Sequence, residues 1–305
     1  TYCILPQEVF ATGCFLVYHG EAYYQASLAE PMSCSIGAFH AAYHTQMGVY
    51  THDMGIREGG KLCINAGAGP MGLGALTYAL HCDRRPGLVV VADINQKRLA
   101  RAEHLFPPEE IRRDEGIELH FVNTGTVDDP VAALREITGG AGFDDVLCYA
   151  PVAAVVTQSS LILGRDGCLN FFAGPTDKNF QAPINFYEVH YGSQHVIGTT
   201  GGNTQDEMES LELTAAGRLD PAVMVTHIGG LDAVPETTLK LPKIPGGKKL
   251  IYTHIEMPLI ALSELRTRAD EDGRYGTLAD IVDAHKGLWS PEAERYLLAN
   301  WESVE

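Results

Sequence analysis

The residues best suited to chemistry are Gly67, Gly69 and Gly72, spaced Gly-x-Gly-x-x-Gly, together with Asp93, 21 positions beyond Gly72. An apolar run, Leu62–Ala66, leads into the glycines, Pro70 and Met71 sit inside the motif, and an apolar helical stretch follows. A second apolar run, Leu88–Ala92, ends on Asp93. Each part has a physical task in a dinucleotide site. Gly67 permits a tight turn, Gly69 lets backbone approach a pyrophosphate, and Gly72 brings helix and strand close together. Free N–H groups at the helix start face phosphate, and a carboxylate at Asp93 accepts from a ribose hydroxyl. That carboxylate also repels a 2′-phosphate, which favours NAD over NADP. Lys97 and Arg98 work in the other direction, because a nearby cation accommodates that phosphate. The plainer reading of Asp93 is an acid near a helix N-terminus.

Other reactive side chains have plain readings too. Glu30, before Pro31, suits a helix N-terminus. His40 and His44 stand four apart in a segment with helical spacing, so both could face one metal, but the sequence His-Ala-Ala-Tyr-His lacks a metalloprotease's glutamate. A surface or packed pair is the simpler reading, and His190 and His195 read as strand-end residues. Ser33 and Cys34 lie in no nucleophile elbow and have no evident base. There is no Tyr-x-x-x-Lys pair, and Gly246-Gly247-Lys248 lacks the earlier glycine and the hydroxyl of a phosphate-binding loop.

Positioning these residues requires a framework. The periodicity predicts short strands over 1–20 and helix over 22–47. From about residue 61 strands alternate with helices. Strands are expected at 62–66, 88–92, 118–122, 145–149, 167–172 and 194–198. Helices are expected at 70–83, 95–105, 129–137, 152–163 and 204–216. Thr204-x-x-Glu207 reads as a capping box, with Gly217 as the stop. This alternation implies an α/β, doubly wound parallel sheet that binds ligand at the strand C-termini. A strand at 223–227, a helix at 231–240, a strand at 250–254 and a helix at 292–301 capped by Ser290-Pro291 complete the chain.

The 305 residues carry 39 acids against 22 bases, a net charge of −17. This opposes general nucleic-acid binding, which needs clustered cations. No apolar run spans a bilayer and no signal-peptide pattern occurs. Seven cysteines are scattered without Cys-x-x-Cys, and Cys63, Cys148 and Cys168 fall in expected strands. Reduced core thiols and a cytoplasmic location follow as expectations.

Ala29-Glu30-Pro31-Met32-Ser33-Cys34, then Gly67–Gly72 and Asp93, resemble the zinc-type medium-chain dehydrogenases, within them the sorbitol dehydrogenase kind. Gly142-Phe143-Asp144-Asp145-Val146 and Gly167…Gly174 fit the same pattern over roughly residues 1–260. The tail from Lys248-Lys249-Leu250-Ile251-Tyr252 to Gly287-Leu288-Trp289 is similar to the sorbose-1-phosphate reductase branch. The resemblance implies a Rossmann sheet flanked by remnants of a GroES-like, β-rich catalytic domain. It divides the chain into a partial catalytic domain with its connecting helix (1–47), an NAD-binding domain (48–220) and a return to the catalytic domain with C-terminal helices (221–305). It implies loops near the nicotinamide at Ala150-Pro151 and at Thr199-Thr200, a zinc-associated carboxylate at Glu30, and a homo-oligomer as one option. It also implies that the family's Gly-His-Glu motif and first zinc-ligating cysteine belong to a segment before Thr1, since this chain has no Gly-His-Glu. No catalytic residue is assigned. The expected activity is NAD-dependent, zinc-assisted interconversion of a polyol or sugar-alcohol phosphate and its ketose. A non-catalytic dinucleotide-binding module and an S-adenosylmethionine-dependent methyltransferase are the alternatives.

Overall fold

The computed structural model describes residues 4–303. Its elements begin with helices α1 (Gln7–Ala11), α2 (Tyr23–Ser27) and α3 (Ala29–Ala41), followed by a hairpin of β1 (Tyr43–Gln46) and β2 (Val49–Met54). The alternating region contains β3 (Lys61–Asn65), α4 (Pro70–His81), β4 (Leu88–Asp93), α5 (Gln96–Leu105), α6 (Pro108–Glu115) and β5 (Glu118–Asn123). It continues with α7 (Pro130–Ile137), β6 (Phe143–Cys148), α8 (Ala153–Leu161), β7 (Leu163–Phe171), α9 (Phe186–Tyr191), β8 (His195–Gly198) and α10 (Thr204–Ala215). Then come β9 (Val225–Gly230), α11 (Val234–Lys240), β10 (Lys248–Tyr252), β11 (Ile260–Ala261), α12 (Gly273–Ala284) and α13 (Pro291–Asn300). Two compact units result, one from residues 30–210 and one from residues 1–29 with 211–305.

The larger unit is built on a six-stranded sheet in the order β5-β4-β3-β6-β7-β8, with every pairing parallel. The strand order reverses between β3 and β6, and such a reversal leaves a crevice at the strand C-termini. Central strands covered on both faces should read as unbroken apolar runs. Val89–Ala92 in β4 and Cys63–Ile64 in β3 are fully buried. Burial pushes the Cys63, Cys148 and Cys168 thiols above their ordinary range, so they serve as small core side chains. All six strands and all five helices expected in this region are present, with ends shifted by a few residues. The smaller unit has a three-stranded sheet, β10-β9-β11, packed with α12 and α13 around Trp289, Leu278 and Leu297. Ser290 caps α13, its hydroxyl accepting from Ala293 N–H at 3.1 Å, with Pro291 in the first turn.

Four local expectations are corrected. Among residues 4–20 there is no strand, and Gln7–Ala11 is helical. The apolar residues that suggested strands, among them Ile4, Phe10, Phe15 and Val17, are exposed. The part of that expectation on Thr1–Cys3 lies outside the described residues. Helix does not extend to residue 47, because α3 stops at Ala41 and Tyr43–Gln46 pairs antiparallel with β2 across a Met47-Gly48 turn. Gly48 takes φ +79°, which only glycine adopts freely. The α10 capping box is one residue early. The Asn203 side chain accepts from Gln205 and Asp206 N–H, and Asp206 accepts from Asn203 N–H at 2.8 Å. A shorter Asn–Asp pair thus does the work expected of Thr204 and Glu207. Finally, His190 is on helix α9 rather than at a strand end.

Candidate dinucleotide site

The glycine motif leaves β3 and enters α4 at the point where the strand order reverses. Its three glycines do different things. A Cβ on Gly67 would fall 2.5 Å from Ile64 O, and one on Gly72 would fall 2.1 Å from Gly67 O. Both are therefore required by the close approach of turn and helix. A Cβ on Gly69 would meet nothing within 4 Å. Its space opens away from the protein, as a backbone approached by a phosphate requires.

The loop's own hydrogen bonds decide which N–H groups remain for a ligand. Ala66 N–H donates to Asn65 Oδ1 at 3.1 Å, Gly67 N–H to Ala92 O at 3.0 Å, and Ala68 N–H to Asp93 Oδ2 at 3.1 Å. Within α4 the first i→i−4 bond runs from Leu73 N–H to Gly69 O, and no side chain caps the helix. Pro70 has no N–H. The N–H groups of Met71 and Gly72 therefore belong to the unsatisfied first turn, next to the open space at Gly69. The helix start supplies the donors, and the preceding turn is held by the protein itself.

Asp93 is buried at the end of β4, with 7% of its surface exposed. Besides Ala68 N–H it accepts Asn95 N–H at 2.9 Å through Oδ1. Each carboxylate oxygen has a second acceptor position, so these bonds fix the side chain without exhausting it. Arg98 and Lys97 are exposed on the first turn of α5. Ala150 follows β6, and Thr199 and Thr200 follow β8, so all three lie at C-terminal strand ends of the same sheet. Thr199 Oγ1 is 3.5 Å from Asn170 Oδ1, and Thr200 is exposed.

On α3, Cys34 Sγ lies 3.4 Å from Glu30 Oε1. Among the described residues no group of three His, Cys, Asp or Glu side chains stands ready to hold a metal. Catalytic zinc takes three protein ligands, so the donors around Glu30 in this chain do not make up that set. The pairing of His40 with His44 is corrected. His40 Nδ1 lies 2.7 Å from Asp206 Oδ1 and its Nε2 lies 3.1 Å from the Tyr78 hydroxyl. His40 also lines a cavity of about 220 Å³ with Phe39, Tyr78 and Arg84, at the C-terminal end of α4. His44 is on β1 and points elsewhere, at Asp145 and at Asp166 O. His195 Nε2 bonds Asp166 Oδ1 at 2.9 Å.

Three neighbours of the loop were missed in the sequence. Asn65 and Ala66 looked like ordinary strand-end residues. Tyr149 follows β6 with its ring 4.4 Å from that of Phe172, and its hydroxyl is buried close to Ser35 and Cys34. A polar Asn closing an otherwise apolar strand was the one available signal.

Comparison with known proteins identifies the family. Residues 70–216 match the family described as ADH_zinc_N, zinc-binding dehydrogenase. The chain is 54% identical over 301 residues to "Uncharacterized protein YggP" of Escherichia coli K12, covering 99% of this chain and 71% of that protein. The chain belongs to the zinc-binding medium-chain dehydrogenases. Within that family it is 51% identical over 298 residues to mannitol-1-phosphate 5-dehydrogenase of Aliivibrio fischeri (98% of this chain, 70% of that protein). It is 46% identical over 304 residues to L-sorbose 1-phosphate reductase of Klebsiella pneumoniae (100% and 70%). The likeness therefore runs through the tail and not only to about residue 260. The fold matches a zinc-binding dehydrogenase from Sinorhizobium meliloti bound to NADP, with TM-score 0.57 and 18% identity over 75% of this chain and 59% of that one. The chain thus spans about 70% of these curated relatives and under two thirds of that solved structure. No helix among the described residues is long and apolar enough to cross a membrane.

Proposed function

We propose that this chain carries the cofactor-binding part of an NAD-dependent oxidoreductase that interconverts a polyol, or a sugar-alcohol phosphate, with its ketose. The observation that carries the cofactor reading is the open space at Gly69 beside the uncapped start of α4, in a loop whose preceding N–H groups are already bonded internally. Gly69, Pro70, Met71 and Gly72 would cradle the pyrophosphate. Asp93 would accept from a ribose hydroxyl, with Arg98 at the rim of that subsite. Ala150, Thr199 and Thr200 would border the nicotinamide. The dinucleotide, when bound, supplies the hydride-accepting ring. The protein's part is to fix its phosphates and to keep a carboxylate against its ribose.

The substrate class rests on the names of two relatives, a mannitol-1-phosphate dehydrogenase and a sorbose 1-phosphate reductase. NAD is favoured over NADP by the Asp93 carboxylate, although a structural neighbour holds NADP. Zinc, with Glu30 as its one family-matched donor here, belongs to the proposed complete site. We place the protein in the cytoplasm on the buried thiols of Cys63, Cys82, Cys148 and Cys168, and the proposal extends to a homo-oligomer. Titration with NADH, NADPH and S-adenosylmethionine, followed by assays with mannitol 1-phosphate, sorbose 1-phosphate and sorbitol, tests the reading. Tight NADH binding with turnover supports a dehydrogenase. NADH binding without turnover of any of these supports a binding module, and binding of S-adenosylmethionine alone overturns both.

A further inference from the structure

We propose that Asn65 is a positioning residue for the dinucleotide, acting through the conformation of Ala66. This inference rests on the cofactor reading above. Asn65 pairs with Ala92 in the β3–β4 ladder. Two residues later Gly67 N–H returns to the same residue, donating to Ala92 O at 3.0 Å. Ala66 is therefore an extra residue between two groups that share one partner, and it takes φ +54°. That left-handed conformation is unfavourable for a residue with a Cβ, so something must hold it.

The Asn65 side chain is placed to do so. It is 2% exposed. Its Oδ1 accepts Ala66 N–H at 3.1 Å, and its Nδ2 donates to Ser159 Oγ at 2.9 Å. The Ser159 hydroxyl in turn donates to Val155 O on α8 at 2.8 Å. A polar chain thus runs from helix α8 through Asn65 into the first peptide of the glycine loop. The orientation of the amide is determined by this chain, because Ser159 spends its one proton on Val155 and can only accept from Asn65. Asn65 O also accepts Tyr149 N–H at 2.9 Å, so the residue ties together β3, β6 and α8. With Ala66 held, Ala68 N–H reaches Asp93, and Gly69 faces open space ahead of α4. Without this hold, the left-handed turn relaxes and the helix-start donors lose their aim.

The test is NADH binding, followed by fluorescence on the full chain, with folding checked by circular dichroism and thermal melts. Asn65→Leu, which keeps the branched side-chain skeleton but removes the amide, should weaken NADH binding about tenfold, the effect of one lost hydrogen bond. Adding Ala66→Gly should restore most of that affinity, because glycine takes φ +54° without help. Ser159→Ala, which frees the amide's other end, should weaken binding by a smaller factor and stands in if Asn65→Leu does not fold. A wild type that binds no NADH refutes the cofactor reading itself, and this inference with it. A wild type that binds NADH, beside folded variants that bind it equally well, refutes the role of Asn65 alone. Weakened binding that Ala66→Gly fails to restore also overturns the proposal, since Asn65 would then act by some route other than Ala66.

Discussion

Residues that look interchangeable in a motif separate once their surroundings are known. Gly69 and Gly72 both belong to the glycine signature, but a Cβ at Gly69 meets nothing and a Cβ at Gly72 meets the Gly67 carbonyl at 2.1 Å. Gly69→Val should therefore leave the melting temperature nearly unchanged while weakening NADH at least about a hundredfold, roughly 2.7 kcal/mol. Gly72→Ala should instead lower stability by about 1–3 kcal/mol through overpacking, measured by urea unfolding. A Gly69→Val protein that binds NADH normally would place the phosphate site elsewhere. Asp93 has a similar double identity, since it anchors Ala68 and Asn95 as well as facing the proposed ribose. Asp93→Ala should reduce NADH affinity about tenfold, the loss expected of a charge-assisted hydrogen bond, and narrow the preference over NADPH. Calorimetric titration showing unchanged affinity and unchanged preference would remove Asp93 from the ribose.

At the scale of elements, the β1–β2 hairpin shows how a polar cluster can dock an element that has little apolar surface to bury. Every residue of β2 is exposed. What holds β1 is His44, buried at the start of the sheet against Asp145 on β6 and Asp166 in β7, with Arg57 bonded to Asp166 at 2.8 Å. Burial by itself would lower the His44 pKa, but the hydrogen bond and charge of Asp145, aided by Asp166 O, outweigh it and raise the pKa above 6.5. A histidine whose pKa is raised on folding contributes its full stabilisation below the unfolded value, and that contribution fades as pH rises through the folded value. His44→Gln should accordingly cost most stability near pH 6, on the order of 3–5 kcal/mol for a broken buried pair, and less near pH 9. Melting curves of both proteins across that range test it. A constant difference would show that His44 is held as a neutral ring.

At the scale of the whole molecule, the two compact units have different kinds of centre. Residues 30–210 are organised by an apolar parallel sheet. Residues 1–29 with 211–305 have an apolar core threaded by Glu294, which is 3% exposed. Its carboxylate accepts Tyr23 and Tyr24 N–H at 2.6 and 2.9 Å and the Tyr252 hydroxyl at 2.6 Å, while Trp289 Nε1 donates to that same hydroxyl at 2.7 Å. One side chain thus joins segments 270 positions apart in sequence. Glu294→Ala leaves two backbone donors and a phenol without their acceptor, so it should cost about 3 kcal/mol or more. Hydrogen exchange should show the loss in α2, α13 and β10, with protection of β3, β4 and β6 retained. Equal loss in both sets would show that the units unfold as one.

The larger unit's framework was legible in the order of residues alone. The continuous apolar stretches Leu62–Ile64 and Leu88–Ala92, the glycine spacing and the acid at Asp93 were enough. A strand buried on both faces and a helix packed onto it leave periodic marks that need no distant partner. The same local logic placed the Ser290-Pro291 cap. What depends on residues far apart in the chain was settled by packing. His40 and His44 looked like a pair and went to Asp206 and Asp145, acids more than a hundred positions away. Exposed Phe10, Phe15 and Val17 imitated strands because apolar character reveals composition and not burial. Which N–H groups of the loop remain free was equally hidden. It depends on Asn65, Ala92 and Asp93 taking three of them, and only the juxtaposition of β3 with β4 and α8 brings those acceptors and their supports into place.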